Sequence, residues 1–348
     1  TGHPQPSQEK TRTMTTSIPL FLLTGFLGSG KSTLLSRLIR HPGFADTAVI
    51  VNEFGEVGLD HALVSQGDEG NTVLLDSGCI CCTLTTSLEE TLEALYYKAE
   101  RGEIPRFARV VVETTGLADP GPIATALAGG TFVSRFVHLA AILTTLDGLH
   151  GAAQLAEFEE ARLQVAMADR VIVTKSDIAT PDALAQTLAA AQAINPRCDR
   201  LTAVFGAIEA SCVLTAGLAD QQALPMAATG CGSADRDPVA HRHAHVHAHG
   251  YVACAVPVPA PVSWSGYAAW VAHLQTRFRD QLLRAKGFAT FDDGGIRTIQ
   301  GVRLLFDPPR PVAWPVDPAL VDTMVLIARN ADRAALADSV ALLTGDAP

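Results

Sequence analysis

Pro19-Leu20-Phe21-Leu22-Leu23-Thr24-Gly25-Phe26-Leu27-Gly28-Ser29-Gly30-Lys31-Ser32-Thr33-Leu34-Leu35 decides the fold. An apolar run of strand length enters a glycine-rich turn, and a helix-forming segment leaves it, reaching about Arg40. Gly25, Gly28, Ser29 and Gly30 let successive backbone N–H groups turn inward onto phosphate oxygens at a helix N-terminus, with Thr33 in its first turn. Lys31 is spaced to reach the β- and γ-phosphates, and Ser32 to put its hydroxyl on Mg²⁺. A chance glycine-rich turn is the competing reading. The strand before and the helix after argue against it.

Outward from this loop, apolar runs at 47–51, 72–75, 109–113, 139–144 and 170–173 alternate with helical patterns such as 87–99. In that helix Ser87 and Glu90 have capping-box spacing. Near-continuous Val/Ile/Leu strands separated by helices predict an α/β fold: a P-loop NTPase three-layer α/β/α sandwich with a mostly parallel sheet. Its expected limits are 17–219, after a disordered extension at 1–16. Residues 220–249 lack apolar periodicity and are rich in Gly, Ala, Asp and His, a linker composition. From 250 to 345 a smaller C-terminal α+β domain is expected. It comprises a strand at 252–258, a helix at 265–283, strands at 286–291 and 297–306, and a helix from 332.

Arg109-Val110-Val111-Val112-Glu113-Thr114-Thr115-Gly116 is a second phosphate-side candidate. Glu113, ending an apolar strand, can hold Mg²⁺ with Ser32, and Gly116 can offer its N–H to a γ-phosphate. A buried strand that merely ends in an acid is the alternative, weaker beside a P-loop. Thr174-Lys175-Ser176-Asp177 follows a strand, where a parallel sheet places binding loops. Asp177 can accept from guanine N1–H and N2–H₂, and Lys175 can lay its aliphatic stem across the base. Thr174 stands where this tetrapeptide usually begins with Asn, which weakens guanine preference without removing it.

Cys79, Cys81 and Cys82 supply soft ligands suited to Zn²⁺, Cu(I) or Co²⁺. Three thiolates leave a tetrahedron incomplete, so Glu53 or Glu56 is the candidate fourth donor, or the position stays open for transfer. A redox or packed cluster is the competing reading. Alternate histidines His241, His243, His245, His247 and His249 could share Zn²⁺, Ni²⁺ or Co²⁺ weakly, against a reading as solvated linker. Cys198, Cys212, Cys231 and Cys254 are scattered and read as inert thiols. A formal net charge of −10 disfavours a nucleic-acid partner. The apolar run before the P-loop is too short to span a bilayer, so no membrane partner and a cytoplasmic setting are expected.

From Met14 onward the chain resembles the CobW family of P-loop GTPases. The resemblance rests on Gly25–Thr33, Asn52-Glu53-Phe54-Gly55-Glu56-Val57-Gly58-Leu59-Asp60, Gly78-Cys79-Ile80-Cys81-Cys82, Glu113-Thr114-Thr115-Gly116, Thr174-Lys175-Ser176-Asp177 and the C-terminal Ile299-Gln300-Gly301-Val302. It implies a Ras-like GTPase domain, a CobW C-terminal domain and metal binding at the thiols when nucleotide is bound. The expected function is a GTP-hydrolysing metallochaperone using GTP and Mg²⁺. It would carry Zn²⁺, with Co²⁺ or Ni²⁺ open, to a client apoprotein, and homo-oligomers are left open. The alternatives are a GTPase activator of one cobalt or iron enzyme, as in cobalamin biosynthesis or nitrile hydratase maturation, and a non-catalytic zinc store. An adenine-using kinase is the weakest.

Overall fold

A computed structural model describes residues 17–51, 73–76, 84–128, 133–196, 198–214, 250–312, 318 and 320–345. Seven strands form one sheet: β1 (Ile18–Gly25), β2 (Thr47–Val51), β3 (Val73–Asp76), β4 (Arg109–Glu113), β5 (Val137–Asp147), β6 (Arg170–Thr174) and β7 (Asp199–Thr202). Their order is β3-β2-β4-β1-β5-β6-β7. Every pairing is parallel. The connections carry α1 (Lys31–Ile39), α2 (Leu84–Glu100), α3 (Pro120–Ala128), α4 (Gly151–Glu157), α5 (Glu159–Met167), α6 (Pro181–Ile194) and α7 (Ala210–Leu214).

The apolar run of β1 explains the layering. Leu20 and Leu22 join the core beneath α2, α3, α5 and α6. Phe21 and Leu23 join the opposite core, beneath α1 and α7. Because both faces are covered, every position must be apolar and no alternation is visible in sequence. The three-layer expectation holds, with a sheet that is parallel throughout.

Several elements differ from the sequence reading, and the strand Thr323–Arg329 was not recognised at all. β5 continues to Asp147, and β7 was not recognised, because its residues Asp199, Arg200, Leu201 and Thr202 are half-buried at the sheet edge. Helix α2 starts at Leu84, so Ser87 lies inside it and not at its cap. A capping-box pattern is a local signal, and it cannot mark a boundary when the preceding residues continue the helix.

The C-terminal domain is an antiparallel sheet of β8 (Tyr251–Pro257), β9 (Leu282–Thr290), β10 (Ile296–Val302), β11 (Leu305–Phe306), β12 (Arg310–Pro311) and β13 (Thr323–Arg329). Helices α8 (Trp264–Arg277) and α9 (Arg333–Asp338) cover one face. Helix α8 stops at Arg277 rather than 283, because Leu282 and Leu283 begin β9. Leu282 packs in the core with Trp270, while Leu283 joins the core of the first domain. Such an apolar pair reads equally well as a last helical turn or a first strand residue.

Tyr251, Leu283, Val302 and Ile327 bring the second face of this sheet onto the first domain. Polar contacts fix the register between the domains. Arg284 Nη2 and Lys286 Nζ donate to Asp169 Oδ1 at 2.5 and 2.7 Å. Arg303 Nη2 donates to Asp119 Oδ2 at 2.5 Å, and Arg329 pairs with Glu159. Burial pushes the Asp169 carboxyl up, but the Arg284 and Lys286 charges outweigh it and hold it well below the carboxylate range. No helix among the described residues is long and apolar enough to cross a membrane.

Candidate functional site

The C-terminal ends of β1, β4 and β6 deliver three loops to one edge of the sheet, where open α/β sheets bind ligands. The glycine turn after β1 is held from below. Gly25 has φ of 144°, and a Cβ there would stand 2.2 Å from Thr145 Oγ1, so this position tolerates only glycine. Ser29 is buried and shares a 2.6 Å hydrogen bond with the Thr145 hydroxyl. Lys31 is buried too, with Nζ donating to the carbonyls of Gly25 at 2.9 Å and Phe26 at 3.2 Å. Its ammonium therefore already sits over the loop. Gly28 and Gly30 are in the same turn with positive φ, and Thr33 is exposed in the first turn of α1.

Ser32 Oγ donates to Glu113 Oε1 at 2.8 Å. A hydroxyl and a buried carboxylate converging at a helix N-terminus make a hard oxygen donor pair, and such a pair fits Mg²⁺. Gly116 presses against the P-loop: a Cβ on it would lie 2.6 Å from Leu27 Cδ2 and 2.8 Å from Leu27 N. Gln164, buried in α5, donates through Nε2 to the carbonyls of Gly116 and Ala118, both at 3.1 Å. The loop after Glu113 is thus clamped between the P-loop and α5.

Thr174 does not face outward as a base contact would. Its hydroxyl donates to Ser29 O at 2.6 Å and Leu146 O at 3.3 Å, tying β6 to the P-loop. Lys175 Nζ donates to Asp147 Oδ2 at 2.7 Å, which fixes the side chain that would cover a base. Asp147 is buried and accepts Leu149 N and His150 N through its other oxygen. Burial pushes its carboxyl up, and the Lys175 and backbone hydrogen bonds bring it below its usual value. Asp177 Oδ1 accepts from Phe205 N at 3.3 Å.

The candidate metal residues Cys79, Cys81, Cys82, Glu53 and Glu56, and His241, His243, His245, His247 and His249, lie outside the described residues. The strand ends that carry the thiol and carboxylate segments are described. Val51 pairs with Asp76 on one side and with Glu113 on the other. The chain therefore leaves β2 toward Glu53 and leaves β3 toward Cys79 from positions level with Glu113. Among the described residues, no cluster of three or more His, Cys, Asp or Glu side chains could hold a metal. Cys198 and Cys254 are buried thiols, pushed up by burial to about 12 and about 11, which keeps them inert at neutral pH. Cys212 is buried in α7, and Cys231 lies outside the described residues.

Sequence reasoning missed Thr145, Asp147 and Gln164. Asp147 had a readable signal, since it ends an apolar strand as Glu113 does. Thr145 and Gln164 had none, because their contacts cross from β5 to the P-loop and from α5 to the loop after Glu113.

The model of the CobW/HypB/UreG nucleotide-binding domain matches residues 19–201, more than half of the chain. The chain belongs to the CobW/HypB/UreG family. The model of the cobalamin synthesis protein cobW C-terminal domain matches residues 251–343. Zinc chaperone YjiA of Escherichia coli is 40% identical over 163 residues, covering 47% of this chain and 50% of that protein. That alignment spans only half the length of YjiA. Zinc chaperone CobW of Pseudomonas aeruginosa is 29% identical over 360 residues, 93% of this chain and 90% of its own length. The crystal structure of zinc-bound YjiA GTPase from E. coli superposes with a TM-score of 0.63 at 25% identity, covering 94% of this chain and 99% of that one. Both domains of this CobW/HypB/UreG protein therefore fall within the likeness.

Proposed function

We propose that this chain is a GTP-hydrolysing metallochaperone that captures a transition metal, Zn²⁺ first, on Cys79, Cys81 and Cys82 and releases it to a client apoprotein. Residues 17–219 act as the GTPase domain, 220–249 as a linker and 250–345 as the C-terminal domain. Gly25, Gly28, Ser29, Gly30 and Thr33 line the phosphate cradle. Lys31 stabilises charge on the transferring phosphoryl group, and Gly116 offers its N–H to it. Ser32 and Glu113 would hold Mg²⁺, which would neutralise charge on the β- and γ-phosphates. Asp177 selects guanine, Lys175 covers the base, and Thr174 supports both through the P-loop.

The observation that carries this reading is the register of Asp76, Val51 and Glu113 across three adjacent strand ends. Segments bearing the thiols and the Glu53 and Glu56 carboxylates start level with the carboxylate that meets Ser32. Nucleotide at Ser32 and metal at the thiols then share one sheet edge, so each can bias the other's loop. The names of the zinc chaperone relatives support Zn²⁺ as the cargo.

The test is a set of titrations with Zn²⁺, Co²⁺ and Ni²⁺, with and without a non-hydrolysable GTP analogue. The native chain, Cys81→Ser and a deletion of 241–249 are compared. One tight site that strengthens with the analogue, disappears in Cys81→Ser and survives the deletion is expected. A coupling of about 5- to 150-fold is typical, and it must appear equally in nucleotide affinity. Tight binding that survives Cys81→Ser and disappears with the histidines would refute the thiolate site.

A further inference from the structure

Phe205 stands beside the guanine-selecting position and has no role in the reading above. It follows β7 in the loop Ala203-Val204-Phe205-Gly206-Ala207, which closes with a bridge between Val204 and Ala207. Its side chain is 65% exposed. Its φ is 50°, a left-handed conformation that a bulky residue rarely adopts. A large apolar ring held in solvent on a strained backbone loses twice, and such strain persists where the surrounding structure imposes it.

Three contacts say where this loop sits. Phe205 N donates to Asp177 Oδ1 at 3.3 Å, so the loop and the base-selecting carboxylate are joined directly. Ser176 Oγ donates to Ala203 O at 3.3 Å. A Cβ on Gly206 would lie 3.2 Å from the Thr33 carbonyl, so the loop also rests on the first turn of the P-loop helix. The loop therefore bridges the phosphate end and the base end of the candidate site. Ile178 and Val204 are 60% and 48% exposed. With Phe205 they are three of the eight exposed large apolar side chains among the described residues, gathered on two loops flanking Asp177.

We infer that Phe205 is the aromatic wall of the base subsite, stacking on one face of the guanine while the Lys175 stem covers the other. Lys175 is available for that task because Asp147 holds its ammonium at 2.7 Å, leaving the methylene stem to lie across the site. Aromatic stacking accepts any base with a π-face, so Phe205 contributes affinity and Asp177 contributes identity. The strained φ then has a use, since it keeps the ring out of the core and in the open base subsite.

This inference rests on the nucleotide reading proposed above, and the experiment separates the two. Phe205→Trp is compared with the native chain by tryptophan fluorescence, using GDP, ADP and inorganic pyrophosphate as probes. The three native tryptophans, Trp264, Trp270 and Trp314, lie in the C-terminal part and supply the background. A saturable signal with GDP that is specific to the Phe205→Trp protein, and absent with pyrophosphate, is expected. In parallel, calorimetry on Phe205→Ala should give GDP and GTP affinities lower by about tenfold to a hundredfold. Pyrophosphate affinity and the ratio of GDP to IDP affinity should stay as in the native chain. Phe205→Tyr should restore binding. Native-like GDP affinity in Phe205→Ala overturns the stacking role and leaves the ring as a protein-docking residue. Loss of pyrophosphate binding in the same variant overturns it too, by showing a displaced P-loop. Failure of the native chain to bind GDP removes the nucleotide reading itself.

Discussion

Arg303 Nη2 donates to Asp119 Oδ2 at 2.5 Å, joining the turn after β10 to the residue that precedes α3. Asp119 also accepts Gly121 N at 2.7 Å, so one carboxylate fixes both the start of α3 and the C-terminal domain. It lies three residues beyond Gly116, in the loop that Gln164 clamps. A nucleotide that moves Gly116 therefore pulls on a contact with the second domain.

That arrangement predicts coupling between Asp119 and Arg303. Both side chains are partly exposed, so the pair should contribute only about 0.5–1 kcal/mol to stability. Arg303→Ala should alter GTP turnover, Asp119→Ala should alter it at least as much because it also loses the Gly121 N–H contact, and the double variant should be no worse than Asp119→Ala. A double-mutant cycle on turnover and on thermal unfolding measures this. Strictly additive effects would show that the contact transmits nothing.

Asp169 predicts how the domain interface responds to acid. Folding holds its carboxyl below the ordinary value, so in acid the unfolded chain binds more protons and stability falls with pH. The contribution is complete above the usual carboxylate pKa of about 4 and drains away as pH falls below it. Asp169→Asn leaves Arg284 and Lys286 buried against a neutral amide. It should cost about 3–5 kcal/mol at pH 7. Thermal unfolding of both proteins from pH 7 to pH 2.5 should show the gap narrowing below pH 4. A gap of constant size would mean that the carboxylate is not ionised in the interface.

The nucleotide half of the molecule was legible because its signals are local. The Pro19–Leu35 stretch contains strand, turn and helix in one run, and Glu113 ends its strand in plain view. The supporting contacts were not legible, because each spans a long sequence distance: Ser29 with Thr145, Thr174 with Ser29, Gln164 with Gly116. Thr174 shows the cost. Read as a base contact with a shortened arm, it is instead a buried brace for the P-loop. The end of α8 was misjudged for another reason, since the apolar pair Leu282 and Leu283 is equally consistent with either period.

Lys31→Ala should bind GTP and fail to hydrolyse it at a measurable rate. The ammonium is held at the loop by the Gly25 and Phe26 carbonyls before any nucleotide arrives, so little reorganisation is needed during reaction. Its removal takes away several kcal/mol of transition-state stabilisation, and each 1.4 kcal/mol is a tenfold loss of rate. The fold should persist, because the methyl group of alanine fits the helix start and the Ser29–Thr145 contact remains. Phosphate release from purified protein, alongside calorimetric GTP binding, reads both effects. Native-rate phosphate release would exclude the loop as the hydrolytic site.

Asp177→Asn should convert base selection without unfolding the loop. Its Oδ1 accepts from Phe205 N, and an asparagine carbonyl oxygen can keep that bond. What the variant loses is the second acceptor and the charge, which guanine N1–H and N2–H₂ need together. Hydrogen bonds to a charged group contribute about 1.5–3 kcal/mol each, so GTP affinity should fall by roughly a hundredfold or more. Adenine offers neither donor in that place, and ATP affinity should hardly change. Xanthine carries a carbonyl where guanine carries its amino group, so the asparagine N–H₂ can donate to it. XTP affinity should therefore rise as GTP affinity falls. Competition binding with the three nucleotides decides it: an unchanged order of GTP, XTP and ATP would mean that Asp177 only supports the loop at Phe205 and that guanine is chosen elsewhere.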